Sequence, residues 1–129
     1  MKVKVRDLRN PNFGKAMMKL DKCDKWPSIA AVKRFAELSE TIGKVYTDNT
    51  KELGEHTLSF AKVDDEGNPV LDDKGGYVIE DEKKGEYAKM VGAFYDGTVD
   101  VNIEGIREKD LQTVGITPED WSTIKWLVR

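Results

Sequence analysis

Met1-Lys2-Val3-Lys4-Val5-Arg6 alternates apolar with basic residues, the period-two pattern of a strand with one face on a core and the other in water. Asn10-Pro11 follows as an N-cap and a first helical residue, and Phe13, Ala16, Met17 and Leu20 then recur at helical spacing, which predicts an amphipathic helix over about 11–22. Pro27 interrupts the pattern by pushing Trp26 away from helical geometry. From Ser28, a second N-cap, the apolar positions Ile29, Val32, Phe35, Leu38, Ile42, Val45, Tyr46, Leu53 and, at its far end, Phe60 predict the longest helix of the chain. Gly43 and Gly54 weaken it, each by up to about 1 kcal/mol relative to alanine, so a bend or an end near Gly54 is open.

Short β-prone pieces between turn formers make residues 61–79 an acidic β-hairpin: Ala61-Lys62-Val63, Val70-Leu71 and Tyr77-Val78-Ile79. Asp81 caps a further helix carrying Tyr87, Met90, Val91 and Phe94 on one face, closed by Asp96-Gly97. Residues 98–104 alternate strictly through Val99, Val101 and Ile103, and their natural partner is the N-terminal strand. Val5-Arg6-Asp7-Leu8 and Glu108-Lys109-Asp110-Leu111 share a phrase that turns the chain at matching edges. Thr117-Pro118-Glu119-Asp120 opens the last helix, with Trp121, Ile124, Leu127 and Val128 on its apolar side. Trp121 is expected inside and Trp126, offset from that stripe, at a partner contact. The sum is an α+β fold of about four helices, one of them long, with a small sheet and a projecting hairpin, in a single domain of 129 residues.

With 39% hydrophobic residues the chain has apolar surface enough to fold. No apolar run reaches the roughly 18–20 residues of a membrane span and no signal-peptide core precedes the first strand, so the expectation is a soluble cytoplasmic protein without a membrane role. One cysteine, Cys23, excludes an internal disulfide, and with the lone His56 it cannot build a Cys/His zinc site. The Asp64-Asp65-Glu66 and Asp72-Asp73 runs lack EF-hand spacing, and there is no phosphate loop, nucleophile elbow or dinucleotide fingerprint. Glu80-Asp81-Glu82 reads as a helix cap and dipole complement. The chain is therefore expected to work without a cofactor, a metal or catalysis.

Charge is more informative than any motif. Residues 1–34 hold ten Lys or Arg against three acids, a net of +7, whereas residues 63–86 hold nine acids against three bases, a net of −6. Complementary patches steer association and choose partners, which points to a protein-binding surface. Asp64, Asp65, Glu66, Asp72 and Asp73 on the hairpin, with Trp126, are its candidate residues. The alternative is a nucleic-acid or nucleotide contact through the basic segment: Lys2, Lys4, Arg6, Arg9, Lys15 and Lys19, continued by Lys22, Lys25, Lys33 and Arg34.

A basic phrase ending in Asp7-Leu8, a helix with Ala16 and Leu20, Ala31-Val32-Lys33-Arg34 in the long helix, an Asp65-Glu66-Gly67 turn, a helix reaching Phe94, an alternating strand and a closing Ile116-Thr117-Pro118-Glu119-Asp120-Trp121 together resemble a group of small accessory proteins of tailed bacteriophages. The resemblance spans nearly the whole chain and carries no catalytic signature. It implies a setting, the cytoplasm of an infected bacterium, and two roles there. One is a host-directed inhibitor that occludes a bacterial defence or transcription protein; the other is a virion accessory or assembly protein whose partner is another phage protein. The host protein is the favoured partner, because a compact charge-divided domain suits one-to-one occlusion of a basic site.

Overall fold

The computed structural model describes all residues, Met1–Arg129, and is α+β. Its elements in chain order are β1 (Lys2–Lys4), α1 (Val5–Leu8), α2 (Pro11–Lys22), α3 (Ile29–Leu58), α4 (Lys84–Asp96), β2 (Thr98–Asp100) and α5 (Pro118–Ile124). They divide into two compact units: residues 1–46 with 97–129, and residues 47–96.

The first unit is held by capping at its helix ends and by one apolar core. Asn10 Oδ1 accepts the Asn12 N–H at 3.0 Å to start α2, Ser28 Oγ accepts the Ala31 N–H at 3.1 Å to start α3, and Thr117 Oγ1 accepts the Asp120 N–H at 3.1 Å to start α5. β1 and β2 pair antiparallel with Val3 opposite Val99, so both alternating patterns put their valines on one face. The expected strands are shorter than their patterns. At Val5 the chain turns into α1, closed by an Arg9 N–H to Val5 carbonyl bond of 2.9 Å, and β2 ends at Asp100. The matching phrase Glu108–Leu111 also forms a helical turn, and Leu8 and Leu111 are both buried.

The core gathers Phe13, Ala16, Met17 and Leu20 of α2, Phe35, Leu38 and Ile42 of α3, Val101, Ile106, and Ile124 and Leu127 from the C-terminal segment. The Val, Leu, Ile, Phe and Met side chains among these stabilise by about 1.5–3 kcal/mol each when fully buried. On α3 the buried stripe is Ala31, Phe35, Leu38 and Ile42, while Ile29 and Val32 stand exposed. The helix is rolled from the expected face because α3 must bury the side that meets α2 and the 101–111 segment. Gly105 lets that segment pass close: at φ +86° it lies where an added Cβ would be 2.6 Å from the Leu127 carbonyl oxygen. Beside it the Ile106 N–H donates to that same oxygen at 2.8 Å, and the Arg129 N–H donates to the Ile106 carbonyl at 2.9 Å.

The second unit contains the end of α3, residues 60–80 and α4. α3 continues through Gly54 to Leu58, which resolves the open question of its end. Tyr87, Met90, Val91 and Phe94 are half-buried on one face of α4, as their spacing predicts. Phe60 meets Tyr87 with ring centroids 6.0 Å apart, and His56 meets Phe94 at 6.1 Å, both edge-on. Asp81–Lys83 forms a single 3₁₀ turn ahead of α4.

Candidate functional site

Residues 60–80 form more than one hairpin. Val63 bridges Pro69 and Leu71 bridges Tyr77, two successive tight hairpins, and a third bridge between Ala61 and Ile79 closes the strands on themselves. Lys62, Val70 and Val78, spaced eight residues apart, complete a ring of backbone hydrogen bonds. The Lys62 N–H donates to the Val78 carbonyl at 2.8 Å, the Val78 N–H to Val70 at 2.9 Å, and the Val70 N–H to Lys62 at 2.8 Å. A second set repeats the arrangement: Asp64 N–H to Asn68, Asp72 N–H to Gly76, both 2.8 Å, and Glu80 N–H to Phe60 at 3.1 Å. The result is a three-sided β-prism with pseudo-threefold symmetry. Such closure leaves no long open edge for another strand to extend.

The symmetry has its source in a period of eight: Val63-Asp64-Asp65-Glu66-Gly67, Leu71-Asp72-Asp73-Lys74-Gly75 and Ile79-Glu80-Asp81-Glu82-Lys83. Two of its corners are loops of one design. Asp64 Oδ1 accepts the N–H groups of Glu66 and Asn68, and Asp72 Oδ1 those of Lys74 and Gly76, each at 2.9 Å. Gly67 at φ +83° and Gly75 at φ +80° supply the left-handed residue that each loop requires. At the third corner the chain enters from α3 and leaves toward α4. There the Lys84 ammonium, 2.9 Å away, holds the Asp81 carboxyl below its usual range by hydrogen bond and charge.

The five acidic residues picked from the sequence therefore share one small frame but do different work. Asp64 and Asp72 organise the loops, which leaves the exposed side chains of Asp65, Glu66 and Asp73 for any partner. Among them lie Val63, 58% exposed, and Leu71, 56% exposed, apolar positions with no cover. The second unit as a whole has 13 acidic and 6 basic side chains, a net of −7, against +4 for the first with its 11 and 15.

The basic candidates are less concentrated. Lys2, Lys4 and Arg6 are exposed, yet Lys2 stands opposite Asp100 in the sheet. The Arg9 guanidinium stacks 4.9 Å from the Tyr46 ring centroid, Lys19 lies 3.2 Å from Asp120, and Lys15 is simply exposed. Arg34 binds the buried Asp110 carboxylate with Nη2 at 2.9 Å from both oxygens and Nε at 3.1 Å from Oδ2. This segment is thus partly committed to holding its own unit. The tryptophans exchange their expected roles: Trp126 packs at 4.9 Å on Phe13, and Trp121 is 42% exposed. The helix gives way to a 3₁₀ turn at Lys125–Leu127, which rotates Trp126 inward.

Cys23 is half-buried with its Sγ 3.8 Å from the Val114 carbonyl, and His56 sits 3.6 Å from Glu52 one turn back on α3. No three His, Cys, Asp or Glu side chains converge at metal-binding distance. No helix is long and apolar enough to cross a membrane. The period of eight was the sequence signal that would have disclosed the prism; it is hidden because the third copy has Glu80 for Asp and Lys83 for Gly. Compared with known proteins, the chain matches no family model, no curated protein and no solved structure.

Proposed function

We propose that the chain is a non-catalytic protein-binding module of a tailed bacteriophage. Its prism docks on a basic, apolar-floored site of a host protein in the bacterial cytoplasm and thereby blocks that site. The observation that carries this reading is the prism itself. A closed ring of backbone bonds fixes two acidic loops around the exposed Val63 and Leu71, so a charged and apolar epitope is presented without the entropy cost of ordering a flexible loop on binding. Charge of one sign concentrated in one unit favours fast, selective encounter with a basic target.

The experiment is affinity capture by tagged protein from uninfected and phage-infected lysates, beside a variant carrying Asp65→Asn, Asp73→Asn and Leu71→Ser. None of these side chains holds a loop, so the variant keeps the fold. One stoichiometric host protein captured from both lysates by the native chain and lost with the variant is the expected result. A partner present only after infection assigns the virion role instead, and nuclease-sensitive capture assigns the basic segment. Capture undiminished by the variant removes the prism from the proposal.

A further inference from the structure

The first half of α3 turns an unpartnered face to solvent. Ile29, Lys33, Ala36 and Glu40 recur at spacings of four and three, which sets them in one row along the helix, opposite its buried stripe, and all four are exposed. At a step of about 100° per residue, Val32 and Gly43 flank the row on one side, Glu37 and Lys44 on the other. Ile29 is 76% exposed and Val32 46%, so two large apolar side chains stand uncovered. The charges beside them are ordered: basic at Lys33, acidic at Glu37 and Glu40, basic at Lys44. Glu40 meets Lys44 at 3.4 Å, but both side chains are largely exposed, and a pair of this kind contributes little and exchanges readily for another.

We propose that this face is covered by α3 of a second copy, the two helices lying antiparallel about a twofold axis that passes between Ala36 and Glu37. The order of charge selects both the partner and the direction. In that register Lys33 of each chain lies level with Glu40 of the other, and symmetry repeats the match at both ends. A parallel pair would instead set Lys33 against Lys33 and Glu40 against Glu40. Antiparallel pairing also brings Ile29 and Val32 of one chain over Gly43 of the other, where an added Cβ meets nothing within 4 Å. The partner thus offers open space where the exposed apolar side chains arrive. The row from Ile29 to Lys44 is about 22 Å long, which gives a contact at or below the small end of standard interfaces, about 1,200 Å² in total. A reversible dimer is expected, with Kd between about 10 and 100 μM. The contact is isologous, so assembly stops at two.

Sedimentation velocity on the full chain tests it. In low-salt buffer the native chain should shift from monomer to dimer as its concentration rises to several hundred micromolar. Lys33→Glu alone and Glu40→Lys alone each bring like charges together at both ends of the contact and should weaken association at least about tenfold. An equimolar mixture of the two should form a 1:1 heterodimer, and Lys33→Glu with Glu40→Lys in one chain should restore the homodimer. Both positions are exposed on the helix, and circular dichroism confirms that each variant keeps its fold. Direction is read by crosslinking in a Cys23→Ala background. Ala36→Cys, beside the axis, should form a disulfide-linked dimer on mild oxidation, whereas Lys44→Cys, about 22 Å from its own copy, should not.

A native chain that stays monomeric at several hundred micromolar overturns the proposal. So does a dimer that neither charge reversal weakens, a mixture of the two reversals that stays monomeric, or equal crosslinking at positions 36 and 44, which would mark a parallel pair. The face contains no residue of the prism, so any of these results leaves the host-binding reading standing.

Discussion

The Arg34–Asp110 pair shows how much one side chain can decide in the first unit. Asp110 has only 7% of its side chain exposed, and Arg34 supplies all of the hydrogen bonds to its carboxylate oxygens. Removing the partner of a buried charge costs about 3–5 kcal/mol, but Arg34 is itself 39% exposed and water can reach the vacated space. Arg34→Ala is therefore expected to cost about 2–3 kcal/mol in urea unfolding, and Arg34→Lys to recover only part, because a point charge cannot reproduce the two-pronged contact. Gly105→Ala should cost about 2 kcal/mol or more, since its Cβ would press on the Leu127 carbonyl in a left-handed backbone.

Asp120 adds a pH dependence. Burial pushes its carboxyl up, but hydrogen bonds from Lys19 and Thr117 and the Lys19 charge outweigh it and hold the group below its ordinary 3.8. A depressed carboxyl stabilises the fold above 3.8 and loses that contribution as pH falls through the folded-state value. The native chain should exceed Asp120→Asn by about 0.5–1 kcal/mol at pH 6, because Asp120 is largely covered but its partner Lys19 is exposed and solvent screens the pair, and the gap should shrink by pH 3.

At the scale of elements, the two loops of the prism are held by bonds within eight residues, whereas its third side is closed by bonds such as Lys62 N–H to the Val78 carbonyl and Glu80 N–H to the Phe60 carbonyl. Asp72→Ala removes one acceptor that serves two amides, so the Lys74 and Gly76 N–H groups should exchange hydrogen faster, by about an order of magnitude for each 1.4 kcal/mol lost. Amides of the Asp64 loop, bonded to their own aspartate, should change less; equal acceleration in both loops would mean that the prism opens as one unit. In α3, Gly54 has no neighbour within 4 Å of an added Cβ, so Gly54→Ala should raise stability by about 0.5–1 kcal/mol, read as a higher Tm. The helix passes this glycine because the cost of one residue is small against the length and packing of a 30-residue helix. That is why its end could not be read from Gly54, while its start at Ser28 could.

For the whole molecule, charge is divided unevenly, −7 on the second unit against +4 on the first, and a field of that kind bears on solubility and on encounter rates. The variant with Asp65→Asn, Asp73→Asn and Leu71→Ser lowers the repulsion among 13 acidic side chains in the second unit, so its Tm at low salt should equal or exceed the native value. A fall of more than a few degrees would show that these side chains hold the prism together and would shift its role from docking to structure. The sequence by itself determined where helices begin, through Asn10-Pro11, Ser28 and Thr117-Pro118, and which strands pair, through Val3 and Val99. Caps act within about four residues and strand faces within two, so both are written locally. Tertiary structure decided that Ala31 rather than Ile29 is buried, that Trp126 packs while Trp121 is exposed, and that the acidic hairpin closes into three sides. Those outcomes depend on what each surface meets from elsewhere in the chain, and burial follows the partner found there more closely than the hydrophobicity of the residue itself.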